Sequence, residues 1–389
     1  MMKQKKLTNL NTYLIVALVI VVAIGLYFTL SVPTVKKEEA PPIVAREIQL
    51  TVLGSDCEDC FNISVATDFI KQQKGFNITE LKEVSIEDAK EMTAKYNVSR
   101  LPALLVQGDL SNLTIPNFDA VEDALVFDLT PPPYYDVETQ KIRGKVTLVQ
   151  LSDATCTQCF NMSIVVDQLG QAGLKIVSSK VLDAKSEEGK GLIEKYKIEK
   201  IPTLVFNNDA LEYDVVKEVW EQVGTEESDG MLVLRFVNPP YINTSSGKTE
   251  GLVGITYLFD EGCTECFNAS VFKELFAQSF NMYFEKEESV EISSTKGKFL
   301  VKKYNITLVP TTVLSKEAGV YPSLAGAWDQ VGSEEKDGAF VFRSVALLEN
   351  YFKQTGGAFA YKDLSSGEVL SGATNSTEAE IEPPAEEDQ

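Results

Sequence analysis

Histidine is absent from the 389 residues, which removes imidazole acid–base catalysis, Ser-His and Cys-His nucleophile pairs and every imidazole metal site. Basic side chains are also in the minority, 36 against 57 acidic ones, for a net charge of −21. A surface that negative repels phosphate backbones and anionic lipid, so no nucleic-acid partner is expected. Cysteine is scarce and confined: all six sit in three C-x-x-C pairs. A long uncharged run occurs once, at Tyr13–Val32, with Lys3, Lys5 and Lys6 ahead of it. Its length suffices to cross about 30 Å of hydrocarbon at 1.5 Å rise per residue. Lysines before the run and a mostly acidic chain after it predict a single-pass membrane anchor, N-terminus cytoplasmic and the bulk extracytoplasmic. A cleaved signal peptide is the alternative, but its apolar region would be unusually long and no clear small-x-small site follows.

Export also explains the asparagines. Of 17, nine stand in N-x-Ser/Thr: Asn62, Asn77, Asn97, Asn112, Asn161, Asn243, Asn268, Asn305 and Asn375. Chance would give about two, so the excess predicts an N-glycosylated exported chain, some of these asparagines alternatively serving as helix caps or turn residues. Disulfides persist in that compartment.

The rest of the chain is a threefold repeat. "SDCEDCFNIS", "ATCTQCFNMS" and "EGCTECFNAS" place Cys57 and Cys60, Cys156 and Cys159, Cys263 and Cys266 in nearly the same string. Apolar, β-branched runs ("EIQLTVLGSD", "KVTLVQLSD", "LVGITYLFD") precede each pair and read as buried strands. "NISVATDFIKQQ" and its counterparts follow and predict a helix opening at or near the first cysteine. An amphipathic helical stretch then leads to a proline-marked strand start, "SRLPALLV", "EKIPTLVF" and "TLVPTTVL". The second cysteine precedes that proline by 42, 43 and 44 residues. Copies two and three share a tail, "VWEQVGTEESDGMLVLR" and "AWDQVGSEEKDGAFVFR", in which Trp220 and Trp328 read as packing residues, with ligand binding the alternative. Copy one lacks that tail, and its cysteine loop reads as two residues shorter. Prolines after copies one and two mark the joints. The expected organisation is 1–46 for the cytoplasmic start, anchor and linker, 47–134, 135–241 and 242–352 for three domains, and 353–389 for an acidic disordered tail.

Three chemistries are open to such pairs: thiol–disulfide exchange, a permanently closed structural disulfide, or a thiolate metal site. A tetrahedral zinc site needs two pairs together, three pairs do not divide evenly, and no histidine completes a set. No metal and no cofactor are therefore expected.

Strand, C-x-x-C, helix, strand, helix and an Ile/Val-Pro-Thr strand together resemble the thioredoxin superfamily. The fold class this implies is α/β, three tandem thioredoxin-like domains after one transmembrane helix. "KYKIEKIPTLVF" carries the likeness most closely, and the resemblance covers about two thirds of residues 47–352. It implies that Cys57, Cys156 and Cys263 attack, and that Cys60, Cys159 and Cys266 resolve the mixed disulfide. It further implies that Pro102, Pro202 and Pro310 are cis and present backbone to a bound peptide. Implied partners are exported or membrane proteins bearing thiols or disulfides, with a membrane redox partner to recharge the centres. The residues also depart from the family. Glu58-Asp59, Thr157-Gln158 and Thr264-Glu265 stand where thioredoxin has Gly-Pro, and adjacent carboxylates disfavour a thiolate. Thr51, Gln150 and Tyr257 replace its buried acid, with Asp153 and Asp260 as candidate substitutes. "DGMLVLRFV" reads as a strand where the family closes with a helix. Exchange on exported proteins is thus one expectation, and a non-catalytic surface protein stapled by disulfides the other.

Overall fold

Each apolar run ahead of a cysteine pair folds as the second strand of a five-stranded sheet. The structure, a computed structural model, describes residues 45–371. The apolar run at Tyr13–Val32 and Asn375 lie outside those residues, and among the described residues no helix is long and apolar enough to cross a membrane.

In the first repeat the elements are β1 (Arg46–Leu53), α1 (Ser64–Gln72), β2 (Phe76–Val84), α2 (Lys90–Lys95), β3 (Arg100–Leu101), β4 (Ala103–Gly108), β5 (Asp119–Val121) and β6 (Ala124–Phe127). A hairpin follows, β7 (Tyr134–Asp136) and β8 (Lys141–Arg143). The second repeat holds β9 (Val146–Ser152), α3 (Ser163–Gln171), β10 (Ile176–Asp183), α4 (Glu187–Tyr196), β11 (Lys200–Ile201), β12 (Thr203–Phe206), β13 (Gly224–Glu226) and β14 (Leu232–Leu234). Its hairpin is β15 (Tyr241–Asn243) and β16 (Lys248–Glu250). The third runs β17 (Val253–Phe259), α5 (Val271–Phe280), β18 (Phe284–Glu291), α6 (Thr295–Lys303), β19 (Leu308–Val309), β20 (Thr311–Leu314), β21 (Gly332–Glu334) and β22 (Phe340–Phe342), then α7 (Glu349–Thr355) and the hairpin β23 (Ala360–Asp363) and β24 (Val369–Ser371).

The sheet orders are β2-β1-β4-β6-β5, β10-β9-β12-β14-β13 and β18-β17-β20-β22-β21. In each, the first pair is parallel and the rest antiparallel, which fits thioredoxin-like units. The central strands β4, β12 and β20 are each buried at four consecutive positions, because both faces of the sheet are covered there. In the second repeat Leu148, Leu204, Phe206 and Trp220 pack with α3 on one face. Leu151, Val205 and Val233 pack with α4 residue Tyr196 on the other.

The described residues form two compact units. One runs to Thr130 and takes in Val137–Thr139; the other holds Pro131–Asp136 and everything from Gln140 on. The second and third repeats therefore share one unit. The expected joints at 134/135, 241/242 and 352/353 fall inside β7, β15 and α7. The prolines end the preceding strand, but the chain then enters a hairpin instead of a linker. The tail expected from 353 is likewise ordered to Ser371. Its strand β23 pairs with β19, and the Asp363 carboxylate accepts the amides of Ser365 (2.7 Å) and Ser366 (3.4 Å) to close the turn. Asn243 closes the β15–β16 turn the same way, through the amides of Ser245 and Ser246.

Candidate functional site

Strand register decides where each cysteine pair sits. Leu53 pairs with Ala103, Leu151 with Thr203 and Leu258 with Thr311. The first of each couple is the last or next-to-last residue of the strand that delivers the cysteines, and the second follows Pro102, Pro202 or Pro310. Cysteine loop and proline thus meet at one end of every sheet. The register also corrects the loop count: Cys57 lies four residues past Leu53, whereas Cys156 and Cys263 lie five past Leu151 and Leu258, a difference of one and not two. All three pairs are closed as disulfides, with Cα–Cα separations of 5.3, 5.4 and 5.4 Å. The Leu101–Pro102, Ile201–Pro202 and Val309–Pro310 peptide bonds are cis, as are Pro132–Pro133 and Pro239–Pro240. Cys263 is buried, and the other five cysteines are half-buried.

The helices do not open at the cysteines. They begin at Ser64, Ser163 and Val271, seven or eight residues after the first cysteine, because each pair forms its own turn. The second cysteine's amide donates to the carbonyl of the first at 3.2 Å in the first repeat and 3.3 Å in the other two. Helix entry falls instead to the sequon asparagine. Asn62, Asn161 and Asn268 accept the amides of Ser64, Ser163 and Ser270 at 2.9–3.0 Å through Oδ1, satisfying a donor that the first turn leaves unpaired. Any favourable field from the helix N-terminus therefore acts on these asparagines first, since it decays within about one turn.

The candidate acids are locked. Asp153 accepts from the Thr155 amide (2.9 Å) and hydroxyl and pairs with Lys185 Nζ at 2.9 Å. Burial alone would raise its carboxyl, but these partners outweigh it and hold it below the usual range. Asp260 pairs with Lys362 Nζ at 2.5 Å and accepts the Gly262 amide at 2.8 Å; the lysine holds its carboxyl down against burial. Neither can serve as the protonated acid the family places beside its cysteines. Tyr257, at the family's acid position, is buried beside Glu287, and both burial and that carboxylate push its hydroxyl well above the ordinary range.

The cis-proline edge is also taken in the second and third repeats. Lys200 and Ile201 of β11 pair with Asn243 and Ile242 of β15, and Leu308 and Val309 of β19 pair with Asp363 and Lys362 of β23. The backbone expected to face a bound peptide is thus covered by the chain's own hairpin. Pro202 and Pro310 are buried, as is Pro102 in the first repeat. The hairpin reaches the sulfur as well: Thr249 Oγ1 of β16 lies 3.8 Å from Cys156 Sγ. An edge strand is a template for unwanted pairing, and covering it is a common remedy.

A further constellation went unread in the sequence. Lys95, Tyr96 and Asp123 form a triad (2.8 and 3.0 Å to the carboxylate), as do Lys195, Tyr196 and Asp229 (2.7 and 3.0 Å) and Lys303, Tyr304 and Asp337 (2.5 and 3.0 Å). The signal was present, since each Lys-Tyr ends six residues before the cis-proline. The triad ties the helix to the turn between the last two strands of the sheet. Of the sequons, Asn97 and Asn305 stop helices at φ 52° and 48°, and Asn243 donates to Glu250 at 2.9 Å while closing its turn. Asn62, Asn77, Asn97, Asn112, Asn161, Asn268 and Asn305 are exposed.

No protein-family model and no curated protein matches the chain. Solved structures do. The alkylhydroperoxide reductase AhpF of Enterococcus faecalis is 21% identical over 44% of this chain and 82% of that one, with a TM-score of 0.16. Full-length ERdj5 is 11% identical over 69% of this chain and 41% of its own length, with a TM-score of 0.15. A protein disulfide oxidoreductase from Aeropyrum pernix K1 is 15% identical over 42% and 78%, with a TM-score of 0.13. The thioredoxin-like assignment rests on the chain's own sheet order, cysteine placement and cis-proline strands. Three closed C-x-x-C disulfides in such units give the protein the layout of a thiol–disulfide oxidoreductase.

Proposed function

We propose that this protein is a membrane-anchored, extracytoplasmic thiol–disulfide exchange protein acting on exported proteins. The observation that carries the reading is the threefold recurrence of a C-x-x-C disulfide at the same sheet end as a cis-proline strand. In the oxidising direction a substrate thiolate attacks one sulfur of the pair, releasing the other as a thiolate; a second substrate thiol then displaces the mixed disulfide. The substrate leaves oxidised and the pair reduced. The residues between the cysteines that face solvent are Glu58, Thr157, Thr264 and Glu265, so substrate enters from that side of the turn. The anchor rests on the Tyr13–Val32 run behind three lysines, and the outside location on the nine sequons.

The hairpins that cover the cis-proline edges favour a second reading, in which the disulfides are closed staples of a non-catalytic surface protein. Alkylation mass spectrometry across a series of glutathione redox buffers separates the two. Exchange predicts that at least one pair titrates within the range of the glutathione couple, and that Cys159→Ser leaves Cys156 free to trap mixed disulfides. If all three pairs stay oxidised through the most reducing buffer and no mixed disulfide forms, the exchange reading is wrong.

A further inference from the structure

From the cis-proline to the end of the sheet the second and third repeats keep a constant offset of 108 residues, and then they part. Phe160 donates its amide to Pro240 O, and Phe267 donates to Ala360 O, so Pro240 and Ala360 are equivalent positions. Arg235 and Arg343 are equivalent too, each donating its amide to the valine of its Q-V-G (Val223 and Val331) at 2.8 Å. From Arg235 to Pro240 is five residues, and from Arg343 to Ala360 seventeen. The surplus of twelve builds the turn Val345–Leu348 and helix α7, which close the apolar face of the third repeat. Val345 and Leu348 are buried there with Phe272, Phe276, Trp328 and Phe342. Phe352 and Phe359 lie on Phe267, with ring centroids 5.1 and 5.7 Å away.

The second repeat has no such helix, and a groove of about 230 Å³ stands in its place. Phe160, Met162, Leu169, Trp220 and Leu234 form its floor. Val215, Val219 and Phe236 at its rim are 45, 44 and 46% exposed, a cluster of apolar surface that a closing helix would cover. The indole also differs. Trp328 Nε1 donates to Ser333 O at 3.2 Å, while buried Trp220 Nε1 has no acceptor among the described residues.

We propose that this groove binds an amphipathic helix of a partner protein, bearing two aliphatic side chains and one aromatic at i, i+3 and i+7. That pattern is set by Val345, Leu348 and Phe352, which fill the equivalent face in the third repeat. Among the described residues and the segments that flank them in this sequence, none offers a spare amphipathic helix of this pattern. Five residues cannot form the helix in place; residues 372–389 contain no aromatic residue; and Tyr13–Val32 is apolar all round. Helix α7 of a second copy is already packed, through Phe352, against its own third repeat. Exposed Asp214, Glu218 and Glu221 flank the groove against Lys217, so the partner's polar face is basic. The proposal is independent of the cysteine chemistry.

The probe is a fluorescein-labelled synthetic peptide with the sequence of Ser344–Phe359, followed by anisotropy against the full chain. Saturable micromolar binding is expected. Val219→Glu and Phe236→Glu in the protein, and Leu348→Asp in the peptide, should each weaken it by at least about tenfold. Leu347→Asp in the peptide should not, because Leu347 faces solvent. Exposed rim positions tolerate these changes, and far-ultraviolet circular dichroism with a urea midpoint checks that each variant folds. Absence of binding overturns the proposal, as does binding indifferent to Val219→Glu. Self-association of the free protein that Val219→Glu abolishes also overturns it, since a second copy would then be the occupant.

Discussion

Replacing Lys362 by Met keeps the aliphatic stem on β23 and removes only the charge that faces Asp260. The carboxylate is 13% exposed and the lysine 26%, with 2.5 Å between them, so the pair lies between the buried and surface limits. Breaking a fully buried pair costs about 3–5 kcal/mol, and an exposed one is worth at most about 1 kcal/mol. With the Gly262 amide still bound to Asp260, a loss of about 1–2 kcal/mol is expected for the third repeat. At a urea slope of about 2 kcal/mol per molar, the midpoint should fall by about 0.5–1 M. The chain has two tryptophans, so a Trp220→Phe background leaves Trp328 to report the third repeat alone. Adding Asp260→Asn to Lys362→Met should restore more than half of the loss, because the uncompensated charge is gone. A midpoint that Lys362→Met shifts by less than about 0.2 M, or a double variant no better than the single, would refute the argument.

Acid should unfold the repeats through their triads. Asp123, Asp229 and Asp337 are each held down to about 2, chiefly by the hydrogen bond from Lys95, Lys195 and Lys303. A depressed folded-state value means the stabilisation is present above the unfolded carboxylate's value of about 4 and disappears as pH falls towards 2. Urea midpoints from Trp220 and Trp328 should be flat between about pH 5 and 8 and drop between 4 and 2.5; an unchanged midpoint at pH 2.5 contradicts this. Gly297→Ala should destabilise the third repeat by roughly 2 kcal/mol or more, although alanine favours helices. An added Cβ would meet the Glu291 carbonyl oxygen and Ile292 Cα, the latter at 2.6 Å, both backbone atoms that cannot yield. Equal or greater stability by the Trp328 measurement would show that the backbone moves aside.

The repeat, its central strands and the proline positions were legible because they are written in local sequence: apolar runs, a cysteine spacing and an X-Pro-Thr string. The hairpin was equally local, with "YINTSSGKTE" and "YKDLSSGEVL" side by side, yet its polar residues read as a domain joint and a tail. Polarity is misleading there, since Asn243 and Asp363 spend their side chains closing turns while the strand backbone does the pairing. The helix start was misplaced because a C-x-x-C turn and a helix turn have the same period, and the asparagine that caps the helix also reads as a sequon. The missing closing helix of the second repeat could be seen as a shorter spacing, but the groove it leaves could not, because its floor comes from three separate elements.

The Asp–Lys pair beside the second and third cysteine pairs shows why aligning the repeats conceals the site's electrostatics. Asp153 and Asp260 lie two residues past the paired Leu151 and Leu258, and each accepts the amide two residues further on. That turn buries a carboxylate, which then requires a cation. Lys185, after β10, supplies it in one repeat; Lys362, on β23, supplies it in the other, and Ile242 holds the position matching Lys362 in the second. What recurs is the neutralised charge and not the residue that neutralises it. In the first repeat the shorter loop places Ser55 two past the strand end, so neither charge is needed. The carboxylate three residues before the first cysteine of the second and third repeats is therefore committed to a lysine and is not the group that takes or gives that cysteine's proton.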